Sequence, residues 1–105
     1  MVSSEQIRAY EADGAVFLPG LLAEWVEVIK AGIERNMREP GPYAAENLKP
    51  GEGGRFFDDY CNWQRIPEFV EVVHKSPAAQ AAAALMQSRS AQLFHDHVLV
   101  KEPGT

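Results

Sequence analysis

From Ala91 to Lys101 the chain reads as one β-strand that carries two imidazoles and a carboxylate at its centre. Side chains alternate along a strand, so Leu93, His95, His97, Leu99 and Lys101 fall on one face and Gln92, Phe94, Asp96, Val98 and Val100 on the other. Apolar residues on both faces call for cover on both sides, which places such a strand inside a sheet with neighbours. Only Glu102-Pro103-Gly104-Thr105 follows, a turn-like tetrapeptide that leads to no further strand. The sequence therefore predicts an N-terminal piece of a larger fold, with the rest of the sheet encoded elsewhere or supplied by another molecule.

The preceding residues supply helices and short strands. Ser3 or Ser4 can cap a helix over Glu5–Ala12, Ser3-Ser4-Glu5-Gln6 lying close to a capping-box pattern with Gln6 three residues after Ser3, and Asp13-Gly14 ends it. Ala15-Val16-Phe17-Leu18 is a short apolar run closed by Pro19-Gly20, and its composition predicts a buried strand. Leu22, Trp25, Val26, Ile29, Ile33 and Met37 recur at three- and four-residue steps, the pattern of an amphipathic helix over 21–38 with its charges on the solvated side. Residues 39–54 hold Pro40, Pro42, Pro50 and Gly41, Gly51, Gly53, Gly54, and read as a long loop.

Beyond the loop, Arg55–Trp63 is aromatic enough for a strand followed by a turn. Its adjacent Asp58 and Asp59 point to opposite faces and cannot share a proton, so the expectation is that one caps or meets solvent. Ile66–His74 and Pro77–Gln87 follow as two helices, the second capped by Ser76 and rich in alanine. His74, in the last turn of the first, takes a structural reading. The order makes one unit of α+β class: helix, strand, helix over 1–38, the Pro/Gly loop over 39–54, then strand, two helices and strand over 55–105.

Composition narrows the functions. A formal net charge of −5 without any Lys/Arg run excludes nucleic acid and anionic membrane surfaces as principal partners. The apolar runs are too short to span a bilayer, and Met1–Arg8 lacks the basic flank and apolar stretch of a secretion signal. Cys61 is the single cysteine, which rules out an internal disulfide and a cysteine-rich zinc site; a cytoplasmic setting follows as the expectation. His95-Asp96-His97 invites a metal reading, yet Asp96 faces away from the two imidazoles and a third protein ligand is missing. A hydrogen-bonded histidine pair within a sheet is the alternative.

Three parts of the chain carry a family resemblance. Tyr10-Glu11-Ala12-Asp13-Gly14-Ala15-Val16-Phe17-Leu18-Pro19-Gly20 resembles the opening helix, Asp-Gly, strand, Pro-Gly unit of the phytanoyl-CoA dioxygenase family, and Phe94–Thr105 resembles the strand that in that family precedes the iron-binding His-x-Asp motif. Ile66-Pro67-Glu68-Phe69-Val70 with Ser76-Pro77-Ala78-Ala79 is similar to its helical pair. The resemblance implies the N-terminal helices and first strands of a double-stranded β-helix, the cupin-like jelly roll, in an enzyme that uses Fe(II), 2-oxoglutarate and O2 to hydroxylate a small-molecule substrate. No later His-x-Asp, distal histidine or 2-oxoglutarate-clasping arginine is present, so no catalytic residue or metal ligand is assigned and the chain is expected to be inactive by itself, binding neither cofactor tightly.

The resemblance assigns Arg55 and His97 to the neighbourhood of the 2-oxoglutarate, where both residue types donate hydrogen bonds to a dicarboxylate. Lys101 shares the face of His97 and joins them as a cofactor-binding candidate. The rival readings are a surface arginine at a loop exit and a solvated strand end. From another class of function, the alternative is a stand-alone α+β interaction module that pairs through its C-terminal strand. In either case an uncovered sheet edge predicts a homo-oligomer.

Overall fold

The computed structural model describes residues 1–105 as four α-helices and a three-stranded antiparallel open sheet, an α+β architecture. Helix α1 (Ser4–Asp13) begins as its sequence predicts. Ser3 Oγ accepts from the Gln6 amide at 3.1 Å, and Gln6 Oε1 accepts from the Ser3 amide at 2.8 Å. Gly14 closes the helix at φ 75°, a left-handed conformation in which its N–H donates to the Tyr10 carbonyl at 2.8 Å.

The strand predicted over 15–18 does not form. No strand lies alongside to receive its backbone groups, and Phe17 remains 81% exposed. The second helix also starts later than its apolar stripe suggests. Gly20 at φ 74° turns the chain, Ala23–Trp25 form a 3₁₀ turn, and α2 spans Val26–Arg38. Val26 is exposed, whereas Gly32 and Asn36 are the buried positions of α2.

Gly32 is buried because α3 (Pro67–Lys75) crosses there: a Cβ at Gly32 would lie 2.5 Å from Cε1 of Phe69. Beside that contact Arg35 forks onto Glu68, with Nε–Oε1 at 2.7 Å and Nη2–Oε2 at 2.8 Å. The fork holds the Glu68 carboxyl at about 2, first through the hydrogen bond from Arg35, and raises Arg35 in turn. Pro67 takes the first position of α3, where its missing N–H costs nothing. Helix α4 (Ala78–Leu85) follows; Ser76 is buried and its Oγ accepts from the Ala78 amide at 3.4 Å.

The sheet has the order β1-β2-β3: β1 (Ala45–Glu46), β2 (Phe56–Tyr60) and β3 (His97–Lys101). Strand β1 lies within the stretch read as loop, because Ala45 and Glu46 find Asp58 and Phe57 opposite them. Strand β3 is shorter than the predicted Ala91–Lys101. Its partner β2 stops at Tyr60, where Cys61 at φ 54° turns the chain aside, and the last backbone bond runs from the Cys61 amide to the Asp96 carbonyl at 3.2 Å. Residues 91–95 then have no strand to pair with.

The register pairs Phe57 with Val100 and Asp59 with Val98, which puts these four side chains on one face, under α2 and α3. Phe56, Asp58, Tyr60, His97, Leu99 and Lys101 occupy the other face. Cover is thin: nine of 105 residues are buried, the surface is 7320 Å² against about 5,800 Å² for a compact chain of this mass, and the radius of gyration is 16.2 Å against about 13 Å. No helix is long and apolar enough to cross a membrane.

Candidate functional site

The uncovered face of the sheet gathers most of the chemically versatile side chains. Tyr60 stands opposite His97 in the register, and Tyr43, brought in by the loop before β1, stacks on Tyr60 with ring centroids 4.9 Å apart and planes 14° from parallel. His95 and His97 both approach the Tyr60 ring, at 5.9 and 5.6 Å, and meet each other edge to face at 5.9 Å. The result is a cluster of aromatic and imidazole rings at one end of the strands, stacked between the tyrosines and tilted elsewhere.

Charge is arranged around this cluster. Asp58, one step diagonally from His97, lies with Oδ1 3.5 Å from His97 Nε2, while its Oδ2 accepts from Asn47 Nδ2 at 2.5 Å. One imidazole nitrogen of His97 is thereby directed to a carboxylate. Lys101, at the far end of the same face, sets its ammonium 5.4 Å from the centroid of the Phe56 ring, a cation–π contact. Cys61 is exposed, with Sγ 3.5 Å from Nδ1 of His95.

Of the three residues expected near a dicarboxylate, the structure brings together two. His97 and Lys101 share the uncovered face, but Arg55 does not. It lies two residues before Phe57 and therefore on the helix-covered side, with its guanidinium 5.3 Å from the Phe57 ring and paired with Glu46, whose Oε1 accepts from Arg55 Nε at 2.9 Å. Its backbone N–H donates to Glu102 Oε1 at 2.7 Å and its carbonyl accepts from the Glu102 amide at 2.8 Å. Arg55 thus clips the two strand ends together.

Asp59 is the residue that sequence reasoning passed over. It is wholly buried, neither a cap nor a solvated acid. Its Oδ2 accepts from Asn36 Nδ2 at 2.9 Å, from the Gly41 amide at 2.7 Å and from Asn62 Nδ2 at 2.7 Å, and its Oδ1 accepts from the Tyr60 amide at 2.9 Å. Arg65 Nη2 stands 3.8 Å away. One carboxylate therefore joins the end of α2, the start of the loop, β2 and the turn after it. Asn36 and Asn62 were the available signal, being amides beside apolar positions, where a buried partner is required.

The arrangement can bind and orient but holds no assembled metal centre: no three His, Cys, Asp or Glu side chains converge to hold an ion. Lys101 offers hydrogen-bond donors to an anion on a face that also carries His97 and aromatic rings. No family model, curated protein or solved structure matches the chain.

Proposed function

We propose that the chain supplies the N-terminal helices and first strands of an Fe(II)/2-oxoglutarate-dependent dioxygenase, similar to the phytanoyl-CoA dioxygenase family, that hydroxylates a small molecule. The observation that carries this reading is the uncovered sheet face, where His97 stands beside the Tyr43–Tyr60 stack and Lys101 lies farther along the same wall, with nothing opposite it. A jelly roll closes such a wall with a second sheet and makes its cavity between the two.

In this reading Lys101 donates to the dicarboxylate, His97 lines its site, and the aromatic rings exclude water on one side. Arg55, engaged by Glu46 on the other side of the sheet, takes no part. The side chains present do not fit an iron site, so the two histidines and the carboxylate that hold Fe(II) come from strands outside these three.

The coding frame beyond Thr105 tests the reading first: an open frame with a His-x-Asp motif is expected. In the longer protein, Lys101→Ala is expected to raise the KM for 2-oxoglutarate roughly tenfold, the loss of one charge-assisted hydrogen bond, while leaving iron affinity unchanged. The 105-residue protein itself is expected to form no succinate above a no-protein control with added Fe(II) and air. Turnover by it would overturn the proposal. A stop codon directly after Thr105 would favour the second reading, an interaction module, for which the free edge of β3 speaks.

A further inference from the structure

Strand β3 pairs with β2 on one side only. At its two ends the Cys61 amide donates to the Asp96 carbonyl and the Glu102 amide to the Arg55 carbonyl, so the even-numbered residues turn their backbone groups toward β2. In an antiparallel ladder the intervening residues turn theirs the other way. The N–H and C=O groups of His97, Leu99 and Lys101 therefore line a free edge, which no proline, bulge or covering loop blunts.

Beside that edge runs an apolar groove of about 350 Å³, lined by Ile29 and Ile33 of α2, Phe69, Val72 and Val73 of α3, and Trp63. Asp96 and the first three residues of β3, His97–Leu99, also line it. Consecutive residues point to opposite faces of a strand, so it is the backbone edge that borders the groove.

We infer that this edge and groove accept an extended polypeptide segment alternating apolar with acidic residues, which becomes the fourth strand of the sheet. Its apolar side chains enter the groove against α2 and α3, and its main chain satisfies the free groups of His97, Leu99 and Lys101. Its remaining side chains lie beside Lys101 and His97 on the uncovered face, where opposite charge across strands is favoured. A small apolar ligand would leave the edge groups unpaired. A second copy fits less well: two-fold pairing about Leu99 sets Lys101 against His97 and Asp96 against Glu102, base on base and acid on acid. The inference rests on the interaction-module reading and not on the dioxygenase one, in which the chain's own further strands take this edge and face.

The probe is a synthetic end-capped peptide alternating valine with glutamate, titrated into the isotope-labelled protein. Saturable binding is expected, with hydrogen-exchange protection gained by the amides of His97, Leu99 and Lys101 and no change at Val98 and Val100, which β2 already pairs. N-methylation of the edge-facing peptide amides is expected to weaken binding about tenfold or more. Lys101→Glu should reverse the preference to a valine–lysine peptide. Absence of saturable binding, or equal binding of the N-methylated peptide, would overturn the inference. So would protection of the three amides without peptide that grows with protein concentration, since a second copy would then own the edge.

Discussion

Strands β2 and β3 are both five residues long and lie side by side, yet they differ sharply in what covers them. On the helix side, Phe57 and Asp59 of β2 are 1% and 0% exposed, while the residues opposite them, Val100 and Val98, are only half-buried. Strand β2 has a neighbour on each edge and α2 anchored beneath it through Asn36; β3 has one neighbour and an apolar groove. Burial of a strand is thus set by its neighbours more than by its own composition, for Val98-Leu99-Val100 is as apolar as anything in β2.

The largest effect that tests this contrast is expected from Asp59→Ala. Removing the carboxylate strands the amides of Asn36, Gly41 and Asn62 around an apolar hole, and a loss of about 3 kcal/mol or more is expected in urea unfolding. A loss below about 0.5 kcal/mol would mean that the buried node does not anchor β2. Next, Gly32→Ala forces Phe69 aside at the α2–α3 crossing, with an expected cost of about 1–3 kcal/mol; an unchanged midpoint would show that the helices pack more loosely than their geometry implies.

The Arg35–Glu68 fork gives a smaller, pH-dependent effect. Because folding lowers the Glu68 carboxyl from 4.5 to about 2, its contribution is fully present above the ordinary carboxyl range and is lost as pH falls through about 2. Unfolding midpoints measured between pH 5 and 2 should therefore fall less steeply for Glu68→Gln than for the parent. Parallel curves would remove the fork from the account of helix packing. The smallest effect is expected at Leu99→Ala: this side chain is 62% exposed beside the free edge, and its loss should change stability by less than about 0.5 kcal/mol. A large loss there would mean that β3 is covered in solution.

Local chemistry made much of the fold legible. Ser3 and Gln6 announced α1, Gly14 its end, the apolar spacing over 66–74 the helix α3, and the aromatic run after Arg55 the strand β2. The failures share a cause. Ala15–Leu18 has the composition of a strand and no partner, whereas Ala45–Glu46 lies in a loop of prolines and glycines and acquires strand geometry because β2 lies beside it. The buried Asp59 was hidden for the same reason, since its partners come from residues 36, 41 and 62 and meet only in three dimensions.

Arg55 marks the boundary most clearly. Periodicity alone places Arg55, Phe57 and Asp59 on one side of their strand and His97, Leu99 and Lys101 on one side of theirs. Which of those sides coincide depends on register, and a slip by one residue would have put Arg55 on the face of His97. The sequence by itself determined that helices form along these stretches, the cap of α1 and the parity of each strand, because these depend on neighbours a few residues apart. Only the tertiary structure decided that Tyr60 meets His97 and that Arg55 is turned away, because strand pairing is fixed by contacts between segments nearly forty residues apart and by the burial of Phe57 and Asp59 beneath α2.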